Sequence, residues 1–576
     1  MNLQAVYHQP KSNYCYAYNE TAIHIRIRTA RGDSIKVVLV YGDKFEWNKH
    51  GEMILEYECN DGFFNYYTVE IPYMPRLAYY FKMINGLEVV CYTQWGIVKE
   101  FDEEQSYYYY FQYPYVHKSG IHKVPEWVKD SIFYEIFPDR FYNGNRDNDP
   151  EKVEAWGKRP CTDSFFGGDL CGVIEKIEYL KDLGINAIYM TPIFKSISNH
   201  KYDTVDYFYV DSHFGDLETL KKLVAVCHEN GIRVILDGVF NHCSCLLKQF
   251  RHVLENGSES PYFKWFYFNG ISEDTLPFHY ETFSTVSSMP KLNTENKEVR
   301  DYLLSAVRYW MEQTDIDGWR LDVADELGPE FLRELRECVK QWKDDAYIVG
   351  ESWYNASPWL MGDQLDAVMN YQLTTVCLDY FALNKINSKD FIHRINKVRM
   401  DYTRQVNEVM FNILESHDTK RFLTLCGGDI RILMIAVTFQ LSYTGVPCVY
   451  YGTEIGMEGG DDPDCRRTFI WDKNKWSIEF YQYIRKLIHL RRNYEVLRRG
   501  CFTWIENEGD IIAYERRLEN QKVIILINKY KERAEVRINA GKCVLKDLLS
   551  NQIYNFGSKL YGDIMIPGLS AKILLV

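Results

Sequence analysis

Several features that would place a protein in a specialised class are missing from these 576 residues. No run of about 18 apolar residues occurs, so no membrane-spanning helix is predicted. Residues Met1 to Pro10 lack the basic and apolar regions of a signal peptide. The 15 cysteines are scattered and include no Cys-x-x-Cys pair, which disfavours a zinc or dithiol redox site. We therefore interpret them as reduced thiols in a cytoplasmic protein.

A long run of basic residues is also missing, and the net charge is -13. Nucleic acids and anionic membranes both select a basic face, so neither is an expected partner. The chain is 46% apolar and 26% charged, as globular proteins are, and it is too long for one core. Its 45 tyrosines and 13 tryptophans must mostly be buried, but aromatic faces also suit stacking against sugar rings.

The first 120 residues or so show the short alternating patterns of β-strands. Strand candidates are Ala22–Arg28, Ser34–Tyr41, Tyr66–Ile71 and Leu77–Met83. The absence of a long helical pattern here predicts a β-sandwich. Short strand patterns return after about residue 500, at Ile511–Arg517, Lys522–Asn528, Ala534–Ile538 and Ala571–Val576.

Between these parts, apolar strand patterns alternate with amphipathic helices such as Leu217–Asn230, Lys297–Thr314 and Gly328–Trp342. Eight such units predict an α/β fold, a (β/α)8 TIM barrel. The strand candidates are Ser131–Phe137, Ala187–Thr191, Arg233–Val239, Gly318–Val323, Tyr347–Glu351, Ala367–Asn370, Phe411–Glu415 and Cys448–Tyr451.

The predicted organisation has three domains. An N-terminal β-sandwich covers 1–122, the catalytic barrel covers 123–498, and a C-terminal all-β domain covers 499–576. A stretch at about 243–300, after the third barrel strand, lacks a helical period and is too long for an ordinary βα loop. We expect it to form a small insertion over the mouth of the barrel.

Polar residues follow four of the apolar strand patterns. The segments are Asp237–His242, Gly318–Asp322, Gly350–Trp353 and Ser416–Asp418. A parallel barrel gathers its strand ends into one cleft, where two carboxylates can cleave a glycosidic bond.

Each of these residues also has a structural interpretation. Arg320 and Asp322 face the same way on a strand, so Arg320 either keeps a nucleophile ionised or forms a simple salt bridge. Glu351 beside Trp353 is either a protonated acid or a helix-start carboxylate. A single histidine, such as His242, is more often structural than functional. The four segments in this order are not comfortably explained as coincidence.

Together the segments closely resemble the four conserved regions of the α-amylase family of glycoside hydrolases. The resemblance implies Asp322 as the nucleophile, Glu351 as the general acid/base and Asp418 as a third carboxylate that distorts the substrate. It also implies sugar contacts from a set of nearby residues. These are Tyr202 with its neighbour His200, His242, Arg320 and His417.

Met289–Asn293 is similar to an extra motif of the neopullulanase, cyclomaltodextrinase and maltogenic amylase branch. That branch usually has Val-Ala-Asn-Glu after the nucleophile, whereas this chain has Val323-Ala-Asp-Glu326. Asp325 thus departs from the pattern, while Glu326 is kept for the acceptor side. Asp462 and Arg466 lie in another branch-like segment, and Phe283 and Trp353 are candidates to stack on the acceptor sugar.

The resemblance implies a retaining hydrolase of α-1,4-glucans, acting on cyclodextrins, malto-oligosaccharides or pullulan. A transglycosylating or α-1,6-acting relative would use the same three carboxylates, and a catalytically inactive binding homologue is a further alternative. The N-terminal part is similar to a β domain that often forms a homodimer in these enzymes.

A polar loop offers clustered oxygen ligands of the kind that calcium prefers. Its candidate ligands are Asn143, Asn145, Asn148, Asp149, Gly167 and Asp169. Some members of the resembled family hold calcium at the matching loop, whereas the alternative is a polar turn without metal. No organic cofactor is expected.

Overall fold

Eight parallel strands form the central sheet of the computed structural model. The structure describes residues 1–33, 35–101, 108–268, 280–506, 510–539, 541, 544–557 and 559–576. Ser34, the predicted start of one strand, and part of the predicted insertion at 243–300 lie outside these ranges. The described residues divide into two compact units.

The central sheet has the connectivity of a closed barrel. Strands β1 to β8 are Phe133–Ile136, Ala187–Met190, Arg233–Gly238, Gly318–Leu321, Tyr347–Gly350, Ala367–Val368, Phe411–Asn412 and Val446–Tyr450. Each strand pairs in parallel with the next in the order β6-β5-β4-β3-β2-β1-β8-β7. A parallel bridge between Met369 and Phe411 joins the two ends, which confirms the predicted barrel.

Amphipathic helices connect the barrel strands. Lys297–Thr314 follows the predicted bounds and buries Leu303, Val307 and Trp310, which recur at helical spacing. The Asn296 side chain caps its first turn. The helices of this unit include Glu126–Lys129, Pro138–Phe141, Leu170–Glu175, Ile177–Leu183, Leu217–Glu229, Lys248–Asn256, Lys297–Thr314, Pro329–Trp342, Tyr371–Cys377, Phe422–Leu425, Ile430–Ser442, Ile478–Asn493 and Glu495–Arg499.

The stretch after β3 contains a helix that the sequence pattern did not reveal. Lys248–Asn256 is helical, although we found no helical period there, because it buries only Phe250 and Val253. A hairpin of Phe194–Ser196 and Thr204–Val210 follows β2. The predicted sugar contacts His200 and Tyr202 lie in the loop between its two strands.

The C-terminal strands belong to the same unit as the barrel. They form a six-stranded sheet and a separate pair, which share an apolar core that includes Ile524, Val536 and Leu574. The strands are Cys501–Trp504, Ile512–Leu518, Gln521–Asn528, Ala534–Asn539, Val544–Asp547, Ile553–Asn555, Tyr561–Ile566 and Ser570–Leu575. This confirms the expected all-β C-terminal region.

The other unit contains the N-terminal sheets. One buries Ile23 and Ile25 and the other buries Val37 and Phe81 in a shared core, as in a sandwich. The first sheet holds Cys15–Ala17, Ala22–Ala30, Phe64–Pro72 and Glu56–Asn60; the second holds Gly51–Ile54, Lys36–Asp43, Leu77–Asn85, Glu88–Thr93, Gly96–Val98 and Phe111–Tyr113.

This unit spans 1–124 and also takes in residues 360–363 and 386–407, which the sequence analysis placed in the barrel domain. The helix Ser388–Met400 joins it because Asn396 Nδ2 donates to the Asn60 carbonyl at 2.7 Å. Across both units, none of the described helices combines the length and the apolar character needed to cross a membrane.

A buried carboxylate joins the amino-terminal ends of β3 and β4. Asp317 accepts hydrogen bonds from Arg233 at 2.6 Å, His228 at 2.7 Å, the Val234 backbone N–H at 2.8 Å and Lys343 at 3.0 Å. Burial alone would raise the pKa of Asp317, but the bonds from His228 and Arg233 lower it to about 2. A lowered pKa means that the ionised form is stabilised by folding.

We predict that Asp317→Asn lowers the free energy of unfolding by about 3 kcal/mol at neutral pH, because it leaves Arg233 and Lys343 without their carboxylate. The contribution is full above the ordinary aspartate pKa of 3.8 and is lost as the pH falls towards 2. Urea denaturation of the wild type and of Asp317→Asn at several pH values measures this. The difference between their free energies of unfolding should become smaller below about pH 4.

The matched control is Asp345→Asn. Its side chain is 44% exposed and lies 4.0 Å from Arg233. The free energy of unfolding should therefore fall by less than about 1 kcal/mol. Equal losses in the two variants would contradict the role given to Asp317.

Candidate active site

The predicted catalytic carboxylates lie at the carboxyl-terminal edge of the barrel. Asp322 comes directly after β4 and Glu351 directly after β5, while Asp418 lies in the segment that follows β7. The backbone N–H of Asp322 still donates to Gly238, and that of Glu351 to Leu321. Both side chains therefore start from the rigid sheet rather than from free loops.

One buried guanidinium connects the carboxylates of three strands. Arg320 Nη1 donates to Asp322 Oδ1 at 2.8 Å and to Asp237 Oδ2 at 2.9 Å, while its Nη2 donates to Glu351 Oε2 at 2.8 Å. Asp322 and Glu351 thus contact the two terminal nitrogens of one planar group and must lie close together. Retaining glycosidases require about 5–5.5 Å between their two carboxyl groups.

The second oxygen of Asp322 is available for attack. Asp322 Oδ2 is buried and has no hydrogen-bond partner; His242 Nε2 lies 3.8 Å away, beyond hydrogen-bond range. Burial raises the pKa of Asp322, and Glu351 adds to this effect, whereas Arg320 opposes it.

Glu351 is held by two further donors. The Trp353 indole Nε1 donates to Glu351 Oε1 at 2.9 Å, and the Val323 backbone N–H donates to Oε2 at 3.0 Å. Val323 has a φ of 45°, which is unusual for a β-branched residue. Because this conformation turns the chain directly after Asp322, backbone strain occurs at the site itself. The Trp353 ring stacks on Tyr371 at 3.7 Å between centroids, which fixes its position.

A second buried cation lies beside Asp418. His417 Nε2 is 3.1 Å from Asp418 Oδ2, and its Nδ1 is 2.6 Å from Glu135 Oε1. Burial alone would lower the pKa of His417, but Asp418 and Glu135 raise it to about 10. His417 is therefore positively charged at neutral pH. Arg466 donates to Asp418 Oδ1 at 2.9 Å and also pairs with Asp462 at 3.0 Å.

Tyr202 stands between these two groups. Its hydroxyl donates to Asp237 Oδ2 at 3.1 Å and lies 2.5 Å from His417 Nε2, while its ring stacks on the His417 ring. His200, which is also a predicted sugar contact, stacks on Tyr202 with 5.9 Å between the ring centroids. Burial lowers the pKa of His200 to about 4, so this imidazole is neutral at neutral pH.

The remaining predicted sugar contacts divide into two groups. His242 stacks on Phe283 at 4.7 Å, and burial lowers its pKa to about 3, so it is also neutral. Glu326 is half exposed and pairs with Lys291 at 2.6 Å. Lys291 Nζ also donates to Asn241 at 2.5 Å, which ties the Glu326 turn to the end of β3.

Sequence reasoning left several residues out of the predicted site. Glu135 fixes His417, Tyr189 donates to Asp237 at 2.6 Å, and Lys291 and Tyr371 hold other members. Glu135 had a detectable signal, because it is a charged residue within the apolar strand pattern Ser131–Phe137. Tyr189 and Tyr371 had none, since a buried tyrosine is a common core residue.

Comparisons with known proteins identify the family of this chain. The family described as "Alpha amylase, catalytic domain" matches residues 135–500, and "Alpha amylase, N-terminal ig-like domain" matches residues 1–117. The chain belongs to the α-amylase family. Like the members of that family, it is a glycoside hydrolase.

Among its relatives is a cyclomaltodextrinase of Geobacillus thermopakistaniensis (strain MAS1), 46% identical over 545 residues, which are 93% of this chain and 92% of the relative. A maltogenic alpha-amylase of Bacillus acidopullulyticus is 45% identical over 562 residues, with 95% and 96% covered. A solved cyclomaltodextrinase structure superposes with a TM-score of 0.95 at 41% identity and covers 100% of both chains.

Asp325 is where this α-amylase family member departs from the branch pattern near the nucleophile. Ser352 Oγ donates to Asp325 Oδ2 at 3.0 Å, which joins the turns that follow Asp322 and Glu351. Burial raises the pKa of Asp325, and the charge of Glu351 adds to the rise. The substitution therefore adds an ionisable group directly beside the general acid/base candidate.

We predict that Asp322→Asn abolishes turnover, with kcat reduced by about 10³-fold or more, because an amide oxygen is a poor nucleophile. Arg320 keeps an oxygen acceptor in this variant, so the circular dichroism spectrum and the thermal midpoint should stay close to those of the wild type. The measurement is reducing-sugar release from β-cyclodextrin.

Asp301→Asn is the matched control, since its carboxylate is exposed and pairs with Lys297 on a helix surface. Wild-type rates in Asp322→Asn would remove this residue from the mechanism.

Proposed function

We propose that the protein is a retaining hydrolase of α-1,4-glucosidic bonds in cyclodextrins, malto-oligosaccharides and pullulan. The observation that carries the proposal is the shared guanidinium of Arg320. It brings Asp322 and Glu351 together and leaves Asp322 Oδ2 without a partner. The names of the relatives support the substrate class.

In the first step, Glu351 gives its proton to the glycosidic oxygen while Asp322 Oδ2 attacks the anomeric carbon. The bond from this carbon to the leaving sugar breaks, and a covalent ester to Asp322 forms. Arg320 stays bonded to Asp322 Oδ1, so the attacking oxygen is the one opposite its hydrogen bond.

In the second step, Glu351 removes a proton from water, and the resulting hydroxide replaces Asp322 at the anomeric carbon. Two inversions at one carbon retain its configuration. If the hydroxyl of another sugar takes the place of water, the same step becomes transglycosylation.

The side chains around the nucleophile suit a neutral, hydroxyl-rich ligand. Asp418 supplies acceptors and Tyr202 supplies an aromatic face, while charged His417 contacts both of them and holds them in place. Because a buried donor or acceptor is costly when unpaired, these groups select a sugar that satisfies all of them. On the acceptor side, Phe283 and half-exposed Trp353 are the proposed stacking residues.

Product analysis tests this function and its closest alternatives. We expect β-cyclodextrin to be opened and the first product to carry the α-anomeric proton signal in NMR, as retention requires. Pullulan should yield products that keep its α-1,6 bonds. Release of maltotriose from pullulan would instead indicate α-1,6 cleavage, and products longer than the substrate would indicate predominant transfer.

We also propose a structural calcium ion at the polar loop. Asn143 Oδ1 and Asn148 Oδ1 are buried without a hydrogen-bond partner, which is the arrangement that a hard cation would relieve. A Cβ on Gly167 would lie 2.3 Å from Asp149 Oδ1, so this position requires glycine. Asp169 also receives backbone N–H bonds from Gly172 and Asn145. Bound calcium would supply charge neutralisation and rigidity.

Removal of calcium should lower the thermal midpoint. We expect several degrees of loss in EDTA and recovery with excess Ca²⁺, because a ligand that binds only the folded state stabilises it. Asn148→Ala should have a lower midpoint in calcium and a smaller response to EDTA. A midpoint that EDTA does not change in the wild type would favour the polar turn without metal.

We further propose that the N-terminal unit mediates a homodimer in the cytoplasm. Its surface exposes large apolar side chains that a partner would cover, including Phe45, Phe63, Leu87 and Trp95. Buried cysteines such as Cys15, Cys227 and Cys448 are free thiols, as a reducing compartment would keep them.

A further inference from the structure

A cavity of about 650 Å³ lies in the barrel unit, outside the set of residues that form the active site. Two chain segments form most of its wall, one at 142–157 and the other at 468–475, and Phe166 completes it. Its volume falls within the range of about 300–1,000 Å³ that is usual for small-molecule sites. None of the predicted catalytic or sugar-contact residues lines it, whereas Asn143 and Asp149, two of the candidate calcium ligands, do.

Aromatic side chains dominate the apolar part of this cavity. Trp156 is 37% exposed, and its Nε1 donates to the Phe469 carbonyl at 2.9 Å. Trp471 donates to the Phe141 carbonyl at 2.7 Å and packs against Tyr142. Both indole N–H groups are thus used within the protein, which holds the rings in fixed positions. Fixed rings lose little entropy when a ligand stacks on them.

The polar lining carries both signs of charge. Arg146 and Lys475 provide cations, whereas Glu154 and Asp472 provide carboxylates that are not candidate calcium ligands. A phosphate or other anion would meet these two carboxylates, and a purely apolar ligand would strip water from four charged groups. Apolar rings surrounded by mixed donors and acceptors instead fit a ligand that has C–H faces and many hydroxyls.

The cavity is connected to the active site through one short segment. Arg466 contacts Asp418, and the chain then continues into the cavity wall at Thr468. Arg140 joins the two regions, since its Nη1 donates to the Arg466 carbonyl at 2.7 Å and its own carbonyl accepts from the Phe469 N–H at 2.7 Å. A ligand in the cavity would therefore contact the segment that positions Arg466.

We propose that this cavity is a second binding site for an α-glucan chain, separate from the site of cleavage. The inference rests on the proposed function for the identity of the sugar. The role of this second site is to hold another oligosaccharide, or a distant part of a long glucan, while the active site cleaves a glucosidic bond.

The test uses the inactive Asp322→Asn protein in excess calcium, titrated with maltotriose by calorimetry and equilibrium dialysis. We expect two bound maltotriose molecules per chain. Adding Trp156→Ala should weaken one of the two by at least tenfold and leave the other unchanged. The matched control, Trp342→Ala, removes a 50% exposed tryptophan that does not line the cavity, so it should still bind two.

Lys475→Ala provides a second route, because this exposed side chain lines the cavity and its loss leaves the rings in place. It should weaken the same binding event if Trp156→Ala does not fold. The proposal would be overturned if the Asp322→Asn protein bound only one maltotriose. It would also be overturned if both cavity variants still bound two maltotriose molecules with the affinities of the Asp322→Asn protein.

The two proposals fail in different ways. If wild-type enzyme cleaves β-cyclodextrin but the Asp322→Asn protein binds only one maltotriose, the second site is wrong and the function stands. If the wild type cleaves no α-glucan, the proposed function is wrong, and two bound maltotriose molecules would then still support the cavity as a sugar site.

Discussion

The buried guanidinium of Arg320 is the interaction on which the active site depends. It lies within the barrel and contacts carboxylates from three adjacent strands: Asp237, Asp322 and Glu351. Without this cation, the buried carboxylates of these strands would repel one another whenever more than one of them is ionised. The parallel barrel makes the contact available, because neighbouring strands end at the same edge and present their side chains inwards.

His417 has the corresponding role on the other side of the site. Its raised pKa keeps it charged beside Asp418 and Glu135, just as Arg320 stays charged beside its three carboxylates. The two cations balance much of the negative charge that the chemistry requires. Tyr202 connects both groups through Asp237 and His417, so the ligand meets one continuous hydrogen-bonded surface. Such a network is rigid only while each member is satisfied.

Much of the fold could be predicted because its signals are local. The helix Lys297–Thr314 has the expected bounds, and each of the eight barrel strands lies at its predicted position. Strand β7 is shorter than expected, since Gln440 Nε2 donates to the Asn412 carbonyl and Thr374 Oγ1 to that of Ile413. These side-chain bonds replace the strand ladder, and no local pattern reveals partners so distant in sequence.

The same distinction applies to the site. Asp322, Glu351 and Asp418 could be named because each follows an apolar strand pattern in a characteristic order. Glu135 was missed, because its importance comes from His417, which lies 282 positions away in the chain. A charged residue within an apolar strand pattern, as Glu135 is, can be noticed in the sequence, but the residue that it positions is known only when the barrel is closed.

Asp325, which replaces the asparagine typical of the branch, can affect one step of the proposed reaction without affecting the other. An asparagine there would accept the same hydrogen bond from Ser352, so the substitution preserves the contact between the two catalytic turns. What changes is the chemistry offered to an incoming molecule, since a carboxylate only accepts hydrogen bonds whereas an amide also donates them. An acceptor hydroxyl that donates to Asp325 keeps its oxygen electron-rich. The departure should therefore affect the choice between water and sugar in the second step, while attack by Asp322 in the first step is unchanged.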